Sequence, residues 1–200
     1  MNLAERLSDI GAIQINTEEL FTWTSGIKSP IYCDNRLTIS YPDVRKQVAK
    51  QLAEKIRQLP EKIDLIAGCA TAGIPHAAWV ADELQLPMVY IRGSKKGHGK
   101  ENRIEGLAEE GQRAVVIEDL ISTGGSSIEA GKVLKSAGVS VEKVFSIFTY
   151  ELTQAERAFE EAGFAYESLL TYSELMEALD LREQEKEVLR KWRSDMNGSK

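Results

Sequence analysis

The 200-residue chain is poor in the residues that mark secreted, zinc-binding or membrane proteins. It has two cysteines, two histidines and five prolines. Cys33 and Cys69 suggest neither a disulfide framework nor the paired spacing of a zinc site, so we interpret them as reduced thiols. No segment has the ~18 apolar residues that a membrane helix needs, and the amphipathic N-terminus lacks the apolar core of a signal peptide. We therefore expect a cytoplasmic protein with no membrane partner.

Positive charge is also scarce. The chain has 25 Lys and Arg against 31 Asp and Glu, which gives a formal net charge of −6. Because phosphate backbones attract basic surfaces, this balance argues against nucleic acid as the main partner. A local basic site for a small anion stays possible. The hydrophobic content of 42% is enough for one well-buried domain, which we expect to span residues 1–200.

Short apolar runs alternate with amphipathic stretches along the chain. The runs predict strands at 64–69, 87–92, 113–120 and 143–150, with a less regular one at 163–171; the stretches predict helices at 73–84, 125–137, 153–162 and 181–196, and one from Ser40 to about Leu59. Continuous apolar strands suit a parallel sheet covered on both faces. The order predicts an α/β fold with a central, mostly parallel sheet flanked by helices.

Hydroxyl and acidic residues mark several of the predicted helix starts. Thr153 with Glu156, and Thr171 with Glu174, fit the capping box, and Ser40 with Asp43 is a similar start. In the last helix, Leu181, Val188, Leu189 and Trp192 should form one apolar side.

The stretch 93–106 breaks this alternation. It has four glycines and four Lys or Arg residues and almost nothing apolar. We expect a long, mobile loop there, since such excursions are usually functional lids or disordered segments.

The segment VVIEDLISTGGSS, residues 115–127, combines features that point to a ligand. Glu118 and Asp119 fall at the carboxyl end of an apolar strand, where open α/β sheets bind ligands. The glycines that follow allow close approach of the backbone, and the next helix start favours a phosphate. Phosphate alone would be repelled by the acids, so they need sugar hydroxyls, Mg²⁺ or a developing positive centre. A phosphorylated ribose fits all of these features.

The same segment resembles the phosphoribosyl diphosphate (PRPP) signature of type I phosphoribosyltransferases. Three more stretches, FTWTSGIKSPIYCDNR (21–36), GCATAGIPHA (68–77) and IRGSKKGHGKENRIEG (91–106), resemble the motifs of the orotate phosphoribosyltransferases. The resemblance covers roughly residues 15–150. It implies the type I phosphoribosyltransferase fold, with a base-binding hood within 1–40 and a flexible catalytic lid at 93–106.

The resemblance also implies an activity. Orotate and PRPP would give orotidine 5′-monophosphate and diphosphate, in pyrimidine biosynthesis. Mg²⁺ is the implied cofactor, and we expect it to arrive with PRPP because Mg²⁺ binds mainly through substrate phosphates. The implied assembly is a homodimer in which each lid closes over the neighbouring subunit's site.

Residue roles follow from the matched motifs. Asp119, Glu118, Lys96 and His98 are the implied catalytic residues. PRPP binding is implied for these four, for Arg92, and for the loop residues Leu120, Ile121, Ser122, Thr123, Gly124, Gly125 and Ser126. Ala70, Thr71, Ala72 and Gly73 would contact the diphosphate. Ser122, Lys28, Ser25 and Gly26 would bind orotate.

The chain departs from the family pattern at positions that bind the base. It has Thr24 where some members have lysine before the Ser-Gly pair, and Thr149-Tyr150-Glu151 where some have an orotate-binding arginine. These departures affect orotate recognition more than PRPP binding. Three alternatives stay open: a transferase for another base such as a purine, a non-catalytic PRPP-sensing regulator, and a simple Rossmann-type binding module.

Overall fold

A computed structural model describes residues 2–23, 26–93 and 103–198. The chain begins with α1 (Leu3–Asp9) and two small antiparallel sheets, in which β1 (Ile13–Ile15) pairs with β4 (Ile31–Cys33) and β2 (Phe21–Thr22) pairs with β3 (Lys28–Ser29). A 3₁₀ helix (Asn35–Ser40) then leads to α2 (Pro42–Arg57). These small sheets occupy the region predicted as the hood.

Within the described residues, six strands form the central sheet: β5 (Leu65–Cys69), β6 (Met88–Ile91), β7 (Ile104–Glu105), β8 (Arg113–Ile121), β9 (Ser140–Thr149) and β10 (Tyr166–Thr171). Their order is β10-β9-β8-β5-β6-β7. Neighbouring strands are parallel except for the β6–β7 pair at one edge. The helices that follow these strands are α3 (Gly73–Leu84), α4 (Gly125–Ser136), α5 (Thr153–Ala162), α6 (Tyr172–Ala178) and α7 (Glu183–Gly198). The predicted α/β class and mostly parallel sheet are confirmed.

The sheet separates two hydrophobic clusters. Alternate residues of β8 enter opposite clusters, as the two-residue period of a strand requires: Val115 and Ile117 lie in one, Ala114 and Val116 in the other. The first cluster contains apolar residues of α1, α2, α3, α6 and α7, and the second contains those of α4 and α5. Thus α3 and α4, which follow the neighbouring strands β5 and β8, cover opposite faces. Their first residues border a crevice at the carboxyl end of the sheet, where such folds bind ligands.

The helix-start predictions have mixed outcomes. The capping box of Thr171 and Glu174 is confirmed at α6. The prediction for Thr153 is wrong, because Thr153 is already helical, Leu152 occupies the N-cap position without a side-chain bond, and the Thr153 N–H donates to Asn197 Oδ1 at 2.9 Å. The prediction for Ser40 is also wrong. Ser40 ends the 3₁₀ helix, and α2 starts at Pro42, whose fixed φ suits a first helical position.

Two further features differ from the predictions: the exposure of one residue in the last helix and the end of one loop. Val188 was expected on the apolar side of the last helix but is 38% exposed, while Leu189 is fully buried. The expected loop 93–106 ends earlier than predicted, since Ile104 is only 7% exposed and pairs with Ile91 in the sheet. Residues 94–102 of that loop lie outside the described residues. Over the described ranges, no helix has the length and apolar character to cross a bilayer.

Candidate active site

Two loops meet at the crevice. Residues 70–72 connect β5 to α3, and residues 122–124 connect β8 to α4. Gly73 allows the first turn of α3 to lie directly on β8, because a Cβ there would collide with the carbonyl oxygen of Ile117. The Ala70–Thr71 peptide bond in the first loop is cis. The predicted diphosphate loop therefore lies beside the predicted phosphate loop.

Replacement of Gly73 by alanine should destabilise the protein. The backbone carbonyl that the new methyl group would meet cannot rotate away, so we expect the free energy of unfolding to fall by about 1–3 kcal/mol, the usual cost of overpacking. Gly125→Ala is the matched control, since its Cβ would point into open space. Denaturant unfolding of both variants checks this, and equal stability would contradict the packing described for Gly73.

The second loop presents free backbone donors. Gly124 has a φ of +79°, and no side chain caps the start of α4 after it. A side chain at Gly124 would also collide with the Phe159 ring, because its Cβ would lie only 2.6 Å from Phe159 Cε2. The first N–H groups of α4 thus have no capping bond from the N-cap residue. Such a helix start binds phosphate through these groups and the helix dipole.

Glu118 and Asp119, the predicted acid pair, have different surroundings. The Glu118 carboxylate is buried and accepts hydrogen bonds from Ser126 Oγ at 3.1 Å, Ser127 Oγ at 3.3 Å and the Asp119 N–H at 3.0 Å. Burial and the adjacent charge of Asp119 raise the pKa of Glu118 to about 8. Burial also raises the pKa of Asp119. Glu118 therefore ties β8 to the start of α4, while Asp119 is the acid that lines the open cavity described next.

A cavity of about 400 Å³ opens between the crevice and the N-terminal segment. The segment contributes one group of lining residues: Trp23, Tyr32, Cys33, Asp34 and Arg36. The carboxyl end of the sheet contributes the other: Ala72, Asp119, Leu120, Ser122 and Tyr150. The cavity thus joins the predicted base-binding region to the predicted ribose- and phosphate-binding residues.

Aromatic rings form one wall of this cavity. The ring centroids of Trp23 and Tyr150 lie 4.7 Å apart, and Trp192 of α7 packs edge-on against Trp23 at 5.7 Å. Trp192 Nε1 also donates to the Lys28 carbonyl at 2.9 Å. The C-terminal helix therefore supports both the aromatic wall and the β2–β3 hairpin.

Two charged residues, Asp34 and Arg36, also line the cavity, and Asn35 lies between them in the sequence. Arg36 donates from Nε to Asp34 Oδ1 at 2.6 Å and from Nη2 to Asp34 Oδ2 at 2.7 Å. These bonds lower the pKa of Asp34. The buried Asn35 donates from Nδ2 to the Asp119 carbonyl at 2.7 Å. Asn35 therefore fixes the 3₁₀ helix against the end of β8.

Comparisons with known proteins agree with this arrangement. The family described as phosphoribosyl transferase domain matches residues 40–164. Orotate phosphoribosyltransferase of Oceanobacillus iheyensis is 54% identical over 97% of this chain and 98% of its own length. The chain belongs to the orotate phosphoribosyltransferase family.

Solved structures of this family share the fold. The crystal structure of orotate phosphoribosyltransferase from Aeropyrum pernix has a TM-score of 0.77 at 29% identity, over 88% of this chain and 97% of that one. The structure of Leishmania donovani UMP synthase has a TM-score of 0.82 at 29% identity over 96% of this chain. This chain spans 42% of that larger protein.

Two described residues with implied orotate contacts, Lys28 and Gly26, are not among those that line the cavity. Lys28 lies on the β2–β3 hairpin, where its Nζ donates to Thr22 Oγ1 at 2.7 Å, and Gly26 lies in the turn of that hairpin with a φ of +84°. Ser25, Lys96 and His98 fall outside the described residues. The roles implied for these five residues stay predictions.

Arg92 lies at the start of the stretch implied to be the lid. Its Nε is 3.1 Å from Glu105 Oε1. The guanidinium of Arg103 donates to the Arg92 carbonyl at 2.9 and 3.0 Å and forms an ion pair with Glu129. Arg103 was not predicted as a functional residue, yet it joins the two ends of the implied lid. The PRPP contact implied for Arg92 stays a prediction.

His76 is buried behind the site. Its Nε2 lies 3.4 Å from Thr38 Oγ1, and within the described part of the chain its Nδ1 has no hydrogen-bond partner. Burial lowers the pKa of His76 to about 4. The burial and the lowered pKa indicate a neutral histidine with a structural role.

The depressed pKa of His76 predicts a loss of stability in acid. The unfolded chain takes up the proton near pH 6.5, while the folded protein resists it until about pH 4. Stability from this residue is therefore present above pH 6.5 and lost as the pH falls towards 4, by up to about 3 kcal/mol. Denaturant unfolding at pH 7 and pH 4.5 should show a larger loss in wild type than in His76→Asn. Equal losses would contradict this account.

A larger groove of about 730 Å³ lies between α6 and α7. Each basic residue that lines it has an acidic partner: Arg193 bonds to Glu151 at 2.9 Å, and Lys186 and Arg190 lie 3.4 and 4.0 Å from Glu183. Neither the acid pair nor the phosphate loop borders this groove. The smaller cavity is therefore the candidate active site.

The family pattern left some cavity residues unassigned. Asp34 and Arg36, which line the cavity, and Asn35 between them stand inside the quoted motif at 21–36, but the resemblance implied no role for these three residues. The alternation of charge and polarity in Cys-Asp-Asn-Arg, directly after a short strand, was the available signal. Tyr150 was noted only as a departure from the family pattern.

Proposed function

We propose that this protein transfers the 5-phosphoribosyl group of PRPP to orotate, giving orotidine 5′-monophosphate and diphosphate in pyrimidine (UMP) biosynthesis. One observation carries the proposal. One cavity is lined both by the packed rings of Trp23 and Tyr150 and by Asp119 and Ser122 at the end of β8. These surfaces suit a planar base and a phosphorylated ribose.

The reaction joins N1 of orotate to C1 of the ribose; N1 loses its proton, and diphosphate leaves with the electron pair of the broken C1–O bond. The free N–H groups at the start of α4 would hold the 5′-phosphate. Asp119 would accept hydrogen bonds from the ribose hydroxyls, and its charge would stabilise the oxocarbenium-like transition state. Residues 70–73 would contact the diphosphate that leaves. Ser122 lines the same cavity as Trp23 and Asp119, which suits its proposed contact with orotate.

The side chains present fit a magnesium ion that enters with PRPP. Among the residues that the structure describes, no cluster of three or more Asp, Glu, His or Cys side chains could hold a metal by itself. Mg²⁺ usually binds through substrate phosphates with one or two carboxylates. Asp119 would be such a carboxylate, and the bound ion would neutralise charge on the diphosphate. The PRPP contact implied for Glu118 stays a prediction; without ligand, its carboxyl group holds the start of α4 through Ser126 and Ser127.

We further propose a cytoplasmic homodimer with shared active sites. Lys96 and His98, with Arg92, match the basic residues of the family's catalytic loop. Their positive charge would neutralise the departing diphosphate, and His98 could donate a proton to it. In this arrangement each loop serves the active site of the neighbouring subunit.

A direct assay tests the proposed activity. Protein, PRPP, Mg²⁺ and orotate are mixed, and the loss of orotate absorbance is followed. We expect turnover with orotate and none with adenine, guanine or hypoxanthine in its place. Turnover with a purine base but not with orotate would establish a different transferase. PRPP binding without any turnover would favour a regulator.

A further inference from the structure

Arg36 is the cationic side chain of the active-site cavity. Among the described residues that line this cavity, it alone is positively charged. Its side chain is 63% exposed, so a ligand can reach it. Two acids, Asp34 and Asp119, also line the cavity, and either one would repel an anionic base that lacked a cationic partner.

The ion pair with Asp34 leaves Arg36 with free donors. A guanidinium has five N–H groups. The bonds to Asp34 start from Nε and Nη2, so both Nη1 hydrogens and one on Nη2 stay available for a second carboxylate. Asp34 therefore acts as a positioning residue that fixes the orientation of the guanidinium.

The other candidate positions are less suited to bind a carboxylate in the cavity. The Nζ of Lys28 bonds to Thr22, and Lys28 is not among the lining residues. After β9, where some family members have an arginine, this chain has Glu151. The Glu151 carboxylate accepts hydrogen bonds from Ser173 and Arg193, on the side of α6 and α7.

We propose that Arg36 binds the carboxylate of orotate and so selects orotate over pyrimidines without this group. The inference rests on the proposed function, since it names the specificity residue of that same site. The planar fork of arginine matches a carboxylate in two parallel hydrogen bonds. The aromatic wall would contact the ring of the base, and Arg36 would bind its charged substituent.

Arg36→Gln tests the proposal through the two Michaelis constants. We expect the KM for orotate to rise roughly 10- to 100-fold, the range for a lost charge-assisted hydrogen bond, while the KM for PRPP changes less than about threefold. Arg36→Lys should recover part of the loss, because it keeps the charge but not the fork. An unchanged KM for orotate, or equal rises for both substrates, would overturn the proposal.

Two controls separate carboxylate binding by Arg36 from an indirect effect of its charge. Arg36→Gln leaves Asp34 unpaired, and its charge could itself repel orotate. The double variant Asp34→Asn/Arg36→Gln removes that repulsion. If Arg36 binds the carboxylate, the KM of this variant for orotate should stay high. A return of the KM for orotate to the wild-type value in the double variant would overturn the proposal. So would a larger rise in the KM for orotate in Lys28→Ala than in Arg36→Gln.

The wild-type assay distinguishes this inference from the proposed function. If wild type makes no orotidine 5′-monophosphate, the proposed function fails. If wild type is active and Arg36→Gln has normal constants for both substrates, only the assignment of Arg36 fails.

Discussion

Asp119→Asn should reduce turnover by roughly 10²–10³, the scale of one preorganised electrostatic contact. Asparagine keeps the shape of the side chain but removes the charge that would face the developing oxocarbenium ion. The substitution should not unfold the protein. Because burial raises the pKa of Asp119, its charge costs stability in the ligand-free state at neutral pH, so the variant should unfold at the same or a higher temperature.

The variant should thus lose turnover without losing thermal stability, and this combination distinguishes an electrostatic role from damaged folding. Steady-state kinetics measures the turnover, and thermal unfolding without ligand measures the stability. Turnover within about twofold of wild type would show that Asp119 has no electrostatic role. A lower unfolding temperature together with low turnover would instead point to damaged folding.

The second large effect concerns the proposed shared site. Lys96→Ala and Asp119→Ala should each be nearly inactive alone, and mixing them under conditions of subunit exchange should restore activity. If the loop acts on the neighbouring subunit, each heterodimer has one site with both defects and one with neither. Random pairing makes about half of the dimers mixed, so activity should approach about a quarter of wild type.

The alternative arrangement predicts a different result. If Lys96 served its own subunit, every site would carry one defect and the mixture would stay inactive. Subunit exchange must be shown independently, for example by mass measurement with one partner carrying a tag. An exchanged but inactive mixture would rule out the shared site.

The sequence predicted the part of the site that depends on local pattern. Apolar residues 115–117 followed by two acids and a glycine-rich turn placed Glu118, Asp119 and the start of α4 correctly. A strand end and a helix start are set by neighbouring residues, so a short stretch contains the necessary information. The alternation of strands and helices predicted the sheet for the same reason.

The cavity wall could not be predicted in this way. Trp23, Tyr150 and Trp192 come together from distant parts of the chain, and no local pattern indicates their contact. The edge strand β7 has only two residues and was predicted as loop because its neighbours are polar. The different roles of Glu118 and Asp119 also depend on tertiary structure, since the hydroxyls of Ser126 and Ser127 turn one carboxylate away from the cavity.

The position of the tryptophans makes the protein a reporter of its own ligand binding. Of its three tryptophans, Trp23 lines the cavity and touches Trp192. Trp79 instead packs between His76 and Arg45, and it does not line the cavity. A base that enters beside Trp23 should therefore change the intrinsic fluorescence, and Trp79 should contribute a constant background. Titration of the unlabelled protein can then follow occupancy of the base site optically, even in variants that no longer catalyse the reaction.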